Sequence, residues 1–427
     1  MKELLLKNKS FALLIIGKLV SLLGDNIQSF ALSLYVLKTT GSAARFGSVL
    51  VLSFIPELII GPIAGVFTDW LDRKKIVVFA DLINAAVIGV FAVIFLLRGE
   101  LTITNIYILV VLLSLTSALF NPAVSSIIPL IVEKEQLVDA NGMNSMIMSI
   151  GSLVAPVIAG IVMDKVGIFI ILVINSLSFL VSSISEMFII VPKHNKEVSG
   201  FKLATFKEDF IEGLRYIKNS KELMTIITLA ATVNFALTPL FEVGIIYIYK
   251  NILMVTDTDY GFIQTIIAAS ALVAPILASY ISKKLSSGKI IFYGTFLISF
   301  FSLSISVVIF NPLLKVYSST IIPITAIAIL TSAETVSLAV VNIVLNSIMQ
   351  KTIPSDMLGR INSAMYTVLS STIPLGQMVF GILYDDLPTT ITVLISGVIL
   401  FAVTAAFKNR IFTLDDTATG GLNVEQK

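Results

Sequence analysis

Twelve stretches of mostly apolar residues recur along the chain, at 11–37, 44–68, 76–97, 104–128, 142–163, 167–191, 222–249, 260–282, 290–310, 318–347, 361–384 and 389–407. A helix needs about 20 such residues to cross the hydrocarbon core of a bilayer. Inside lipid each backbone N–H and C=O must find a partner within the protein, which for segments of this length leaves the α-helix. The pattern therefore predicts an all-α membrane protein with twelve transmembrane helices. Composition fits lipid as the main solvent, since 56% of the 427 residues are hydrophobic and only 13% are charged, against roughly 25% charge in soluble domains. The opening "MKELLLKNKSFALLIIGKLVSLLG" places positive charge before apolar residues as a signal peptide does. No A-x-A pattern follows and the run continues to Leu37, so it reads as an uncleaved first span.

Several kinds of chemistry are excluded. Cysteine is absent and His194 is the sole histidine, in a Lys-rich loop. Disulfides, thiolate nucleophiles, and Cys- or His-based metal sites therefore fall away together. No phosphate loop or nucleophile constellation is visible, so neither an enzyme nor a cofactor or metal site is expected. The net charge of +2 gives no reason to expect nucleic acid. The partners to expect are the lipid bilayer, a small molecule and protons, with the chain acting as a monomer.

Direction across the membrane follows from Lys and Arg. With a cytosolic N-terminus, 22 of the 29 basic residues fall on the cytosolic side, six fall outside and Lys18 lies within the first span. Both termini are thus expected in the cytosol, at a bacterial cytoplasmic membrane. The stretch "LIIGPIAGVFTDWLDRKKIVVFADLI" then becomes a tight cytosolic turn between the second and third spans, its charges placed where the chain meets water.

Residues 133–164 echo residues 354–385 at an offset of 221, pairing Leu137 with Leu358, Asn141 with Asn362, Ser149 with Ser370, Gly160 with Gly381 and Asp164 with Asp385. More weakly, Pro62 and its basic turn match Pro275 and "SKKLSSGK". Two pseudo-symmetric six-helix bundles are expected, at 1–191 and 222–408. They are joined by a cytosolic linker, 192–221, whose "FKEDFIEGLRYI" reads as an amphipathic helix near the membrane surface. A polar tail occupies 409–427. Two such halves suit transporters that rock about a midplane site.

On these features the chain resembles the major facilitator superfamily over nearly its whole length. The superfamily's loop motif, G-x-x-x-D-(R/K)-x-G-(R/K)-(R/K), has its counterpart in "GVFTDWLDRK", with Gly65, Asp69, Arg73 and Lys74 in register and Trp70 and Asp72 departing from it. The resemblance implies a cytosolic gate at these residues. "GSLVAPVIAG" in the fifth span, with Gly151, Ala155, Pro156 and Gly160, resembles the superfamily's antiporter signature. Its small residues recur every four positions and permit close helix contact; Ala271, Ala274, Pro275 and Ala278 of the eighth span are the expected mate. "SLLGDNIQSFALSLYVLKTTGSAA", "EQLVDANG" and "IPSDMLGRINS" look like the branch containing macrolide-efflux and enterobactin-exporter proteins. One departure stands out. An Arg often linked to proton coupling in the fourth span is replaced here by Leu113 or Ser114.

Ionisable groups at membrane depth are costly and mark function by default. Lys18, Ser21, Asp25 and Gln28 recur at i, i+3, i+7 and i+10, a polar stripe expected to face a water-filled cavity. Glu334 sits mid-span in the tenth helix, Glu57 mid-span in the second beside Pro56, and Glu242 in the outer half of the seventh. A carboxyl in a low-dielectric site can carry a proton, and Asp25 and Glu334 lead as carriers, followed by Glu242 and Glu57. The alternative for each is a carboxylate bonded to a neighbour for packing. Asp81 and Glu186 lie near cytosolic ends and read as interfacial. Asn121 with Ser114, Ser117 and Ser125, and Thr331 with Thr335, Asn342 and Asn346, add polar faces on the fourth and tenth spans; Phe30, Phe120, Phe235 and Phe241 offer aromatic walls. Together with the resemblance, this implies proton-coupled efflux of a lipophilic or amphipathic small molecule, such as a drug, macrolide or siderophore-like compound, by alternating access. Proton-coupled uptake, a lipid-like substrate, or a non-transporting membrane receptor of the same fold remain alternatives.

Overall fold

The computed structural model describes Leu4, residues 7–133, 136–192, 203–353, 357–412 and Leu414. His194 and all of the 409–427 tail beyond residue 412 except Leu414 lie outside the described residues. The chain is 89% helical with no strand among the described residues, and twelve of its helices are long and apolar enough to cross a membrane. They are α1 (Lys9–Thr40), α2 (Ala43–Trp70), α3 (Arg73–Arg98), α4 (Ile103–Ile131), α5 (Leu137–Lys165) and α6 (Ile168–Met187). After α7 (Leu203–Asn219) follow α8 (Lys221–Ile252), α9 (Asp257–Ser282), α10 (Ser287–Val308), α11 (Ile321–Thr352), α12 (Leu358–Asp386) and α13 (Thr389–Ala406).

Local chemistry sets the ends of these helices. Asn8 caps α1 by accepting from the Phe11 N–H at 2.9 Å, and Gly41, at φ 62°, closes it in the left-handed conformation. Asp72, which departs from the superfamily's turn motif, caps α3. Its Oδ1 accepts from the N–H groups of Lys74 at 3.1 Å and Lys75 at 3.4 Å. Such a cap is typically worth about 1 kcal/mol. Prolines perturb two spans, because proline removes a helix donor and crowds the carbonyl four residues back. Beyond Pro239, α8 widens into π turns at Leu240–Gly244 and Ile248–Ile252, and beside Pro275, α9 tightens into a 3-10 turn at Ala271–Val273.

The chain forms two compact units. The first comprises Met1–Gly41, Ser48–Gly200 and Val255–Thr265; the second comprises Ser42–Gly47, Phe201–Met254 and Ile266–Lys427. In the first, α6 packs on α1 and α3, α3 on α4, and α1 on α5. In the second, α13 packs on α8 and α10, α10 on α11, and α8 on α12. The same pairing thus recurs six membrane helices later, as the sequence repeat leads one to expect. The repeat extends to detail. A Cβ on Gly160 would collide with the Asp257 carbonyl at the start of α9, and one on Gly381 would crowd Ala43 and Ala44 at the start of α2. One turn further on, Asp164 accepts from the Thr258 hydroxyl at 2.9 Å and Asp385 from the Ser42 hydroxyl at 2.5 Å.

The amphipathic α7 seats its apolar face on the second unit. Ile217 is buried there, with Phe210, Leu214 and Tyr216 packed around a core that includes Ile226, Val344 and Ile361.

Candidate functional site

The first unit contains a cleft with about 720 Å³ of empty space, lined by α1, α2 and α4. Its polar lining is Asp25, Gln28, Ser29, Ser33, Ser53, Glu57, Ser114 and Ser117; Leu32, Val49, Leu50, Val110 and Leu113 supply the apolar wall. Asp25 and Glu57 are both half-buried and are the cleft's two ionisable side chains among the described residues. Leu113 and Ser114, where the superfamily often has Arg, both face this space.

The polar stripe on α1 divides. Asp25 and Gln28 line the cleft, and the buried Gln28 Oε1 also accepts from Asn175 Nδ2 of α6 at 2.9 Å. Lys18 is buried instead against α5, its Nζ donating to Asn144 Oδ1 at 2.8 Å, and the Ser21 hydroxyl turns back to the Lys18 carbonyl at 3.4 Å. Asn121 is exposed on α4 and outside the cleft lining. The expected aromatic walls are also elsewhere. Phe30 stacks on Tyr260 at 5.5 Å, Phe235 meets Phe380 edge-on at 5.9 Å, and Phe120 joins an apolar cluster around Val124 and Ile127.

The second unit holds a different arrangement. Glu334 of α11 is fully buried and accepts from the Ser302 hydroxyl of α10 at 2.5 Å, while its Oε2 has no hydrogen-bond partner among the described residues. The Tyr384 hydroxyl of α12 lies within electrostatic reach of Glu334. It also lies against Gly244, where any side chain would strike it. Two residues before that glycine, in the first π turn of α8, Glu242 accepts from Gln377 Nε2 of α12. π turns are rare and often mark functional positions.

The turn motif is partly visible. Arg73 Nη1 donates to the Ser126 carbonyl at 3.4 Å and Lys74 is half-buried, while the side chains of Gly65 and Asp69 lie outside the described ones. In the antiporter-like motif, Gly151 faces Asn26 and Leu22 of α1, Ala155 is buried, and the Pro156 carbonyl and Gly160 meet Gly261 and Asp257 of α9. Thr265 adds a hydrogen bond from its hydroxyl to the Leu153 carbonyl at 2.9 Å. Within the first unit, α5 is therefore in close contact with the beginning of α9. Ala274 and Ala278 pack in the core of the second unit with Ile290 and Val340, because the 3-10 turn at Ala271–Val273 separates the two parts of α9.

Asp81 and Glu186, expected near helix ends, are more enclosed than that position suggests. Both are turned into the protein: Asp81 is 1% and Glu186 0% exposed, and they interact electrostatically across α3 and α6. A usable signal is present in α6, where Asn175, Ser178, Ser182 and Glu186 fall on one face at spacings of three and four. All four are buried.

The family model described as Major Facilitator Superfamily matches residues 14–376. The chain belongs to this superfamily. As a superfamily member it is a multi-pass membrane transporter and not an enzyme. Macrolide efflux protein A of Streptococcus pyogenes is 26% identical over 407 residues, covering 93% of this chain and 96% of that protein. The multidrug efflux pump Tap of Mycolicibacterium fortuitum is 22% identical over 426 residues, covering 96% and 98%. Among solved structures, an inward-facing bacterial homologue of the iron transporter ferroportin superposes with a TM-score of 0.72 at 16% identity, covering 95% of this chain and 98% of that one. At that identity the likeness concerns the fold.

Proposed function

We propose that this major facilitator exports a lipophilic or amphipathic small molecule in exchange for protons, by alternating access. The observation that carries the reading is the placement of Asp25 and Glu57 as the two ionisable groups, among the described residues, of an otherwise hydroxyl- and aliphatic-lined cleft. Such a lining suits an uncharged or cationic organic compound, whose apolar body is desolvated against Leu32, Val49 and Val110 while a carboxylate attracts its positive end. A phosphorylated substrate would call for basic residues, and the described lining holds none. Proton and cationic substrate then compete for the same carboxyls, and each ligand shifts the balance of conformations toward the state that binds it better. Glu334, with Ser302 as donor, serves as a further proton carrier in the second unit, and Glu242 with Gln377 as a lesser one. Gly65, Asp69, Arg73 and Lys74 act as the cytosolic gate, the termini being cytosolic. Relatives named for macrolide and multidrug efflux support the outward direction.

The test is uptake of a labelled macrolide or cationic dye into inverted membrane vesicles with an acidic interior. Uptake should collapse when a protonophore removes the gradient. Asp25→Asn and Glu334→Gln should each lower gradient-driven uptake by roughly tenfold or more, within the usual range of a coupling between two ligands. Accumulation indifferent to the gradient would sink the reading.

A further inference from the structure

Asp81 and Glu186 take no part in the cleft, yet they are the most enclosed pair of carboxyls in the first unit among the described residues. Ser182 stands between them. Its hydroxyl donates to Glu186 Oε1 at 3.4 Å and is also within hydrogen-bonding reach of Asp81. One hydroxyl carries one hydrogen and cannot serve both carboxyls at once. Asp81 Oδ2 and Glu186 Oε2 accept no hydrogen bond from the described residues.

The neighbouring donors are committed elsewhere. Ser183 donates to the Val78 carbonyl at 3.0 Å, Ser185 to the Leu13 carbonyl at 3.1 Å, and Asn175 to Gln28. Asn84, one turn along α3 from Asp81, accepts from Thr116 at 2.5 Å through its Oδ1, and its amide donates to neither carboxyl. Among the described residues, charged groups on the surrounding helices do not neutralise the pair either. On α1, Asp25 acts on Asp81 with the same sign of charge, and Lys18 is bonded to Asn144 of α5. The span of α4 carries no Asp, Glu, Lys or Arg, and α6 carries none besides Glu186. On α3 the basic residues are Arg73, Lys74 and Lys75 in its first turn and Arg98 at its far end; on α5, Asp139, Asp164 and Lys165 lie at its ends.

Two ionised carboxylates packed together without a cation would each bear the desolvation cost of a buried charge, several kcal/mol per ion, and would repel one another besides. One proton resolves both difficulties. It removes a charge, and the acid formed can donate to the Ser182 hydroxyl oxygen while that hydroxyl's own hydrogen serves the remaining carboxylate. A metal ion fits less well, since two carboxyls and a hydroxyl fall short of the six or more oxygens that calcium takes or the octahedral set that magnesium demands.

We propose that Asp81 and Glu186 form a proton-binding site between α3 and α6, in which the two carboxyls hold a proton in common. This site is separate from the cleft and is felt there through the charge of Asp25. It does not depend on the export reading, because it concerns protons bound and not cargo moved.

The experiment follows the infrared carboxylic-acid C=O band of the full chain in lipid vesicles across a pH series. Subtracting the spectrum of the double variant Asp81→Asn/Glu186→Gln isolates the pair's band. In the wild type this band should disappear in two separated steps. Asp81→Asn or Glu186→Gln alone should leave a single step, displaced to more acidic pH than the later wild-type step by about one pH unit or more, the separation that marks interacting acids. Either single variant suffices if the other does not fold. A remaining carboxyl that titrates where it did beside its neighbour would overturn the proposal. So would a wild-type band absent at every pH, or one that sodium or magnesium ions remove at constant pH. Loss of dye uptake in Asp25→Asn with the two steps intact would bear on export alone.

Discussion

The α3/α6 pair of the first unit and the α10/α13 pair of the second hold the same place in the repeated packing, and both bury polar side chains. They satisfy those side chains differently. On α10, Thr295 and Ser299 return their hydroxyl hydrogens to the Ile291 and Thr295 carbonyls, each at 2.8 Å. On α13, Ser396 donates to the Ala236 carbonyl at 2.6 Å and Thr404 to the Leu400 carbonyl at 2.8 Å. A hydroxyl brings its own hydrogen and finds a carbonyl acceptor, within a turn or on a packed neighbour. An ionised carboxylate brings none, and the helical N–H groups around it are already used. Hydroxyls can thus line a helix contact as adhesive, whereas carboxyls there demand something from outside the contact. Ser302 meets that demand for one oxygen of Glu334; Asp81 and Glu186 have Ser182 to share.

Three substitutions would break or sharpen this contrast. The largest effect should come from Ser299→Asp, which places a carboxyl in the hydroxyl-lined contact where Ser299 is fully buried. The charge or the proton it must take should lower stability by about 3 kcal/mol or more, read as a lower melting temperature in detergent or a loss of folded yield. A variant as stable as the wild type would dissolve the distinction between the two contacts. Ser182→Ala, which strips the first-unit carboxyls of their donor, should cost about 1–3 kcal/mol, the range for leaving a buried polar atom unsatisfied. Thermal melts compared with Glu186→Gln would check the origin: the alanine should cost less when that amide supplies a donor. The smallest change should follow Ser299→Ala, at about 0.5–1 kcal/mol, because the Thr295 carbonyl it releases keeps its helical partner. Equal losses for the two alanine variants would mean that the carboxyls place no special demand on Ser182.

The twelve spans are legible because the bilayer imposes a length on each apolar run, and the repeat because Gly160 and Gly381 occupy equivalent close contacts. The facing of individual groups is harder to read. Lys18 shares a helical face with Asp25, yet its long stem carries the ammonium to Asn144 on α5. Asp81 and Glu186 are read from their distance to a helix end, but such a distance does not say which face turns inward. Asp81 stands eight residues beyond Arg73, the first residue of α3, so more than two turns of helix separate it from the turn. The contact of α5 with the beginning of α9 escapes the sequence for a related reason. Small-residue stripes identify surfaces able to make contact, and α9 carries two such surfaces either side of its 3-10 turn.

The hold of Asp385 on the start of α2 has a consequence for how the protein is made. Its carboxylate accepts from the Ser42 hydroxyl at 2.5 Å and from the N–H groups of Ala43 at 2.7 Å and Ala44 at 3.1 Å, the contacts lying 341 to 343 positions apart in sequence. Helix starts are ordinarily closed by a neighbour a few residues away. Here the ribosome delivers the donors more than three hundred residues ahead of their acceptor. Until the eleventh span emerges, Ser42 alone caps the second helix, its hydroxyl accepting from the Arg45 N–H at 3.1 Å, while the N–H groups of Ala43 and Ala44 await their acceptor. A chain cut short just before Asp385 would retain nearly all of the eleventh span and yet leave the Ala43 and Ala44 N–H groups without their carboxylate, giving quality-control proteases a local defect to recognise.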